Sequence, residues 1–461
     1  MKINKMSQEE RVRYLTTAPI PGLVISMAVP TIISMLVSMF YNMADTFFVG
    51  RLNTQATAAV GVAFSVMALI QAIGFFFGHG SGNYISRQMG ARAFEDAERM
   101  ASTAFFTSLA VGAAIAALGM TFVSPISRLL GSTPTILPYT ISYLRVIFLG
   151  TPFIIGSFVL NNQMRFQGNA SGAIVGIVSG AVLNIALDPL LIFVFDMGVA
   201  GAAWATSISQ AVSFVLLCIM NQRNSAIKPS LGKFSLKARY YKNIFRGGVP
   251  SLCRQGIGSI ATICLNLSAG LYGGAYADAA IAAMSICTRI AMFANSALIG
   301  FGQGFQPVCG TNYGAGIYTR VREAFFFCLK VGAAVLAVIS ALGIAFAPGL
   351  ITIFREDPEV IAIGARALRF QACMFPLNVY TILTNMLLQT IGMAGKASLT
   401  ASARQGIFFI PAVYLLPLAL GLTGVEIAQM VADIFTFLLC LPLGIGVLRT
   451  MKTDRPREEN A

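Results

Sequence analysis

The stretch GHGSGNYISRQMGA at residues 78–91 returns in altered form as GQGFQPVCGTNYGA at 302–315, an offset of 224 (302 − 78). The same offset pairs Leu144-Arg145 with Leu368-Arg369, Pro152 with Pro376, Asn161 with Asn385 and Gly168 with Gly392. One constant offset held over about 95 residues marks an internal repeat, so the chain consists of two related halves.

What surrounds the repeat sets the fold class. Of the 461 residues, 56% are hydrophobic and 11% charged, and the mean hydropathy is +0.75. A soluble globular protein of this length is excluded by that composition. A membrane span takes about 20 apolar residues, and twelve such runs stand at 20–48, 57–80, 100–124, 138–162, 172–195, 200–220, 247–272, 278–305, 323–347, 361–388, 399–421 and 424–448. The expected fold is an all-α polytopic membrane protein with 12 transmembrane helices in two six-helix bundles. Six spans return the chain to its starting side, so the repeat is parallel about an axis along the membrane normal, with a cleft between the halves. The expected organisation is an N-terminal tail (1–19), a first bundle (20–220), a linker (221–246), a second bundle (247–448) and a C-terminal tail (449–461).

The net charge of +14 follows this topology. Arg87, Arg92 and Arg99 follow the second run, Arg165 the fourth, Arg223 through Arg246 the sixth, Arg320 and Arg322 the eighth, Lys396 and Arg404 the tenth, and Arg449, Lys452, Arg455 and Arg457 close the chain. Positive charge in alternate linkers places both termini and the long linker in the cytoplasm. It also accounts for the basic balance without nucleic acid, which is not expected as a partner. Lys2, Lys5, Glu9, Glu10, Arg11 and Arg13 lead into a long apolar run with no small-residue cleavage site, so no removable signal peptide is expected. The eight cysteines show no CxxC spacing and read as buried free thiols. The single histidine, His79, has Gln303 as its repeat counterpart, which favours a hydrogen-bonding role in packing. No GxxxxGK[ST], HExxH or GxSxG motif is present, so neither an enzyme nor a bound cofactor is expected.

One apolar run, Ile174 to Phe195, carries an amide and a carboxylate. In Asn184-Ile185-Ala186-Leu187-Asp188-Pro189 the two polar side chains lie four residues apart, on one helical face, and Pro189 withdraws a backbone donor beside the acid. An ionisable group at membrane depth is a functional candidate. Counting 1.5 Å per residue from the helix ends brings Asp45 of the first run and Thr206 of the sixth to a similar depth. Asp45, Asn184, Asp188 and Thr206 make an all-oxygen set suited to Na+ or to a proton shared between acids. Pro30 lies fifteen residues before Asp45, where it provides a bending point or a static kink, and Tyr41 lies one turn before Asp45.

YNMADTFFVGRL in the first run, NIALDPLLIF in the fifth and GVAGAAWATSIS opening the sixth, within a twelve-span repeat, resemble the multidrug and toxic compound extrusion (MATE) family, in particular its bacterial branches that couple through the first bundle. The resemblance covers essentially the whole chain. It implies an antiporter in the bacterial cytoplasmic (inner) membrane, acting as a monomer among membrane lipids and driven by H+ or Na+. It further implies small amphipathic or cationic substrates, with Asp45, Asn184, Asp188 and Thr206 as the cation site. Pro30 becomes the bending point, and Tyr41 and Asn161 part of the substrate lining. The chain departs from other members of that family in its seventh run, VPSLCRQGIGSIATICL, which holds Arg254 and Gln255 but no carboxylate. Glu426 and Asp433, seven residues apart on one face, are candidates for a second site with Gln255 and Arg289, or partners for cations such as Arg254 and Arg289. These arginines also sustain an alternative, a flippase for lipid-linked oligosaccharide or peptidoglycan precursors with a cationic cavity. The stretch matching Asn184–Pro189 in the second half reads FFIPAVYLLP, so coupling is expected in the first half alone.

Overall fold

The computed structural model describes residues 6–454, and these are almost wholly helical. In chain order the helices are α1 (Gln8–Thr17), α2 (Ile20–Gly50), α3 (Thr54–Gly90), α4 (Phe94–Thr121), α5 (Val123–Leu129), α6 (Leu137–Phe166), α7 (Ala170–Pro189), α8 (Gly198–Asn224), α9 (Ala238–Tyr272), α10 (Ala277–Gly314), α11 (Tyr318–Ala345), α12 (Ala347–Thr352), α13 (Pro358–Cys373), α14 (Phe375–Thr390), α15 (Ala394–Ser402), α16 (Phe409–Leu420) and α17 (Leu422–Thr450). Ten spans are long and apolar enough to cross a membrane unaided, α7 and α15–α16 each including a π turn. The pair α13–α14, bent by 52°, supplies an eleventh. The twelfth is α9, 35 residues long, whose hydropathy is lowered by Arg239, Lys242, Arg246, Arg254 and Gln255.

Both ends of the described chain come to one end of the molecule, called here the terminal end. There Arg320 donates to the Ala18 carbonyl at 2.5 Å and Asp454 accepts from the Thr319 amide at 2.8 Å. Lys2, Lys5, Arg455 and Arg457 lie outside the described residues.

The helices run beyond the apolar runs at this end. The repeated motif 78–91 is the last turns of α3, and 302–315 closes α10. Its small residues are explained by what they face: a Cβ at Gly80 would enter the Ile244 backbone of α9, and one at Gly304, its repeat partner, would enter the Ala28 backbone of α2. The motif that reveals the repeat is therefore the place where the halves touch. The expected linker shrinks to residues 225–237, because α8 continues to Asn224 and α9 begins at Ala238.

The repeat holds at the level of single bonds. Asn161 donates to the Ala173 carbonyl at 2.9 Å and Asn385 to the Ala397 carbonyl at 2.7 Å, while Gly168 and Gly392 take φ of 81° and 89°. One apolar core fills the first half and takes in Tyr240 and Ile244 from the start of α9, one lies within the second half, and a third joins α2 at Ile20, Leu23, Val24 and Met27 to the second half across the seam.

The N-terminal segment is a strap rather than a tail. Ser7 and Glu10 form a capping box at the start of α1. Val12 then enters the first core and Leu15 the third. Arg11 donates to the Asn224 carbonyl at 2.8 Å, and the Leu15 carbonyl accepts from Asn312 at 3.1 Å. The strap thus crosses the terminal end of both halves.

Candidate functional site

In the half of the first bundle away from the terminal end, α7 and α8 bring three of the expected residues together. Asn184 points its amide nitrogen at Asp188 Oδ1 (3.5 Å) and at Thr206 Oγ1 (3.4 Å). Both contacts are long for hydrogen bonds. Asp188 is fully buried and Asp45 is 8% exposed, and the two carboxylates lie within Coulombic reach of each other. Asp45 Oδ1, Asp188 Oδ2 and Asn184 Oδ1 are all buried with no hydrogen-bond partner. Buried polar oxygens are ordinarily satisfied, so three orphans in one place amount to an electron-rich pocket with fewer donors than acceptors. Oxygens from two carboxylates and an amide fit a hard cation or a proton.

Beside the acids lies a small cavity of about 30 Å3, lined by Tyr41 and Ser38 of α2, Ser157, Phe158 and Asn161 of α6, Ile177, Gly180, Ala181 and Asn184 of α7, and Thr206, Ser209, Gln210 and Ser213 of α8. Asn184 and Thr206 therefore face both acids and cavity. Tyr41 and Asn161 line the cavity as expected, although the Asn161 amide is also committed to the Ala173 carbonyl. Pro30 lies in the terminal half of α2, which stays helical through it, and Ser34 Oγ donates to the Pro30 carbonyl at 2.9 Å.

Sequence reasoning missed Tyr143 and Gln210. Tyr143 of α6 is fully buried within Coulombic reach of Asp45, Asp188 and Tyr41, and its hydroxyl lies 3.3 Å from Met67 Sδ. Its repeat counterpart is Ala367, a contrast that the offset of 224 exposes.

The second bundle is furnished differently. Glu426 pairs with Arg366 at 2.9 Å, and Asp433 with Arg404 at 2.8 Å. Asp433 also accepts from Asn378 at 2.9 Å and from Gln429 at 2.8 Å. The cations that answer these acids are Arg366 and Arg404, not Arg254 and Arg289. Arg254 donates to Asn385 at 3.3 Å, Arg289 is exposed and Gln255 half-buried. In α8 and α17 the repeat register slips by one, since Gly201 and Gly424 make the same close approach to the preceding crossing and buried Ser209, Ser213 and Leu217 match buried Ala432, Thr436 and Cys440. Asp433 then stands where Gln210 does and Arg404 where Gly180 does. An ion pair fills the volume that is a cavity in the first bundle. All eight cysteines are free, and Cys373 is exposed where a buried thiol was expected.

Two repeated helical bundles at membrane depth, with a polar cavity in one of them, define a multi-pass membrane transporter. The MatE family model matches residues 30–190 and 256–415, once in each half. The chain belongs to the MATE family of multidrug export transporters. The multidrug export protein MepA of Staphylococcus haemolyticus is 27% identical over 97% of this chain and 98% of its own. MepA of Staphylococcus aureus is 27% identical over 92% and 94%. A solved structure described as the outward-facing conformation of a multidrug resistance MATE family transporter of the MOP superfamily superposes with a TM-score of 0.90 at 27% identity, over 96% of this chain and 98% of that one.

Proposed function

We propose that this multidrug exporter is an antiporter that couples expulsion of amphipathic, often cationic, compounds to inward movement of H+ or Na+ through the first bundle. The observation that carries the reading is the set of three unpartnered oxygens on Asp45, Asp188 and Asn184, adjoining a cavity with which the site shares Asn184 and Thr206. A cation there and a substrate in the cavity compete for one wall, and Pro30 gives α2 the place to bend when one replaces the other. Such competition is the thermodynamic requirement for exchange: the two ligands favour different states of one site. The site is complete within a single chain, and the positive linkers support cytoplasmic termini in a bacterial inner membrane.

The test is efflux of a fluorescent cationic dye from proteoliposomes under separately imposed Na+ and pH gradients. One gradient should drive efflux, and Asp188→Asn should reduce the driven rate at least tenfold while leaving the protein folded. Driven efflux at the wild-type rate in Asp188→Asn would sink the proposal. Asn184→Ala should weaken coupling more than expression.

A further inference from the structure

The buried side of α8 carries a polar stripe that runs from the acid site toward the terminal end. Thr206, Ser209, Ser213, Leu217 and Asn221 follow one another at helical spacing on one face, with Ser225 as the C-cap. All six are buried, whereas Val215 and Ile219 on the other side are exposed. The stripe meets α7 along its glycines: a Cβ at Gly180 would press on Ser213, and one at Gly176 on Leu217. Ser209 Oγ, Asn221 Oδ1 and Ser225 Oγ are buried with no hydrogen-bond partner. Ser209 and Ser213 also line the cavity beside the acids, whose volume of about 30 Å3 has room for about two water molecules.

Leu217 alone breaks the stripe. It is fully buried, one turn from Ser213 on one side and from Asn221 on the other, about 6 Å each way along the helix. On one side of it lie the cavity and the acids. On the other, Asn221 and Ser225 lead to the Asn224 carbonyl, which accepts from Arg11 of the strap at 2.8 Å and from Asn169 at 3.2 Å. An apolar side chain set between two polar stretches holds back water and ions by dewetting. The corresponding positions of α17 hold Ala432, Thr436, Cys440, Gly444 and Leu448, and Thr436, the one hydroxyl among them, is committed to the Ala432 carbonyl at 2.7 Å. The stripe with orphaned polar groups therefore belongs to the bundle that holds the unpaired acids.

We propose that the coupling cation travels from the acids toward the terminal end inside the first bundle, along the α7–α8 contact past Ser209, Ser213, Asn221 and Ser225, and that Leu217 seated on Gly176 is the gate that closes this route. Hydroxyl and amide groups both accept and donate, so with water between them they hydrate a small cation or relay a proton. The route lies within one bundle, apart from the cleft between the halves. Its cargo rests on the antiport reading; the seal at Leu217 does not, because a leak through an opened gate needs no substrate.

The full chain is reconstituted in liposomes without substrate, and entry of H+ (a trapped pH dye) and of Na+ (a radioactive tracer) is followed under imposed gradients. Leu217→Ala should raise entry of one of the two at least tenfold over the wild type, and adding Asp188→Asn should remove the rise. A rise in H+ alone assigns a proton relayed by water; a rise in Na+ assigns the metal ion. Leu217→Thr loses less volume and completes the polar file, so it carries the test if Leu217→Ala does not fold. Leu368→Ala, an equal truncation of a buried leucine in the second bundle, should not leak. The proposal is overturned if neither flux rises in a folded Leu217 variant, if the leak survives Asp188→Asn, or if Leu368→Ala leaks as much. Failure of gradient-driven dye efflux in the wild type, with an Asp188-dependent leak in Leu217→Ala, would overturn the antiport reading and leave the gate standing.

Discussion

Asp188 and Asp433 are both buried carboxylates in corresponding bundles, and their neighbours give them opposite characters. Asp433 receives Arg404, Asn378 and Gln429, whereas Asp188 has one long contact from Asn184 and an oxygen with no donor. The first is held in an ion pair, and the second is the carboxylate proposed above to take the coupling cation. Removing one partner of a buried pair costs about 3–5 kcal/mol, while replacing both with apolar residues is often neutral. Arg404→Leu should therefore lower the thermal stability of the purified protein strongly, and adding Asp433→Leu should restore most of it; a double variant as unstable as the single would show that Asp433 does not suffer from losing its cation. At the first-bundle site, Tyr143→Phe keeps the buried ring and removes only the hydroxyl, so it should preserve stability but lower gradient-driven dye efflux. Asp45, Asn184, Asp188 and Thr206 were legible because charge and amide are rare in apolar runs and helical spacing gives their depth. Tyr143 and Gln210 were not, since a tyrosine or glutamine near a span end is ordinary and only partners from other helices give it meaning. The partners of Glu426 and Asp433 were hidden for the same reason: Arg366 and Arg404 lie far off in sequence, and tertiary packing alone joins them.

Among the elements, the crossings were legible and their ends were not. Apolar length reveals a span, but α3 and α10 extend to Gly90 and Gly314 through small and polar residues that look like loop. Those residues are buried against the opposite half, so burial inside protein replaces contact with lipid. Two π turns, Leu190–Val194 and Ala403–Ile407, fall at different depths of the two related crossings. Each inserts one residue, so the two crossings are out of register in the stretch between the two turns. The offset of 224 therefore finds the halves yet misaligns the residues that distinguish them. The close approach of α10 to α2 at Gly304 gives the prediction at this scale. Overpacking a tight contact costs about 1–3 kcal/mol, so Gly304→Val should lower thermal stability by that order and raise alkylation of Cys309, which is fully buried here, as read by peptide mass spectrometry. Unchanged Cys309 protection would show that the seam absorbs the side chain.

For the whole molecule, the composition and the repeat were enough to give two bundles, while the strap α1 escaped notice because ten residues of mixed polarity carry no span signal. Its buried apolar residues are Val12, in the first core, and Leu15, in the core that spans the seam, so its role depends on where the halves stand. A chain lacking residues 2–17 loses a tie across the terminal end, and it should expose Cys309 to alkylation several-fold faster while the helical content falls only by the ten residues of α1. Equal rates would mean that the strap follows the seam without holding it.

The seam itself is fastened in an unusual currency. Arg87 reaches the Thr390 carbonyl, Arg165 the Gln303 carbonyl and Arg320 the Ala18 carbonyl, two of them at or just beyond the last turn of a helix, where the dipole is negative. A carbonyl takes no proton and a guanidinium keeps its own at any physiological acidity. These clasps therefore carry no proton-dependent partner of their own at the carbonyls they grip, so they fasten the halves alike across the ordinary range of acidity.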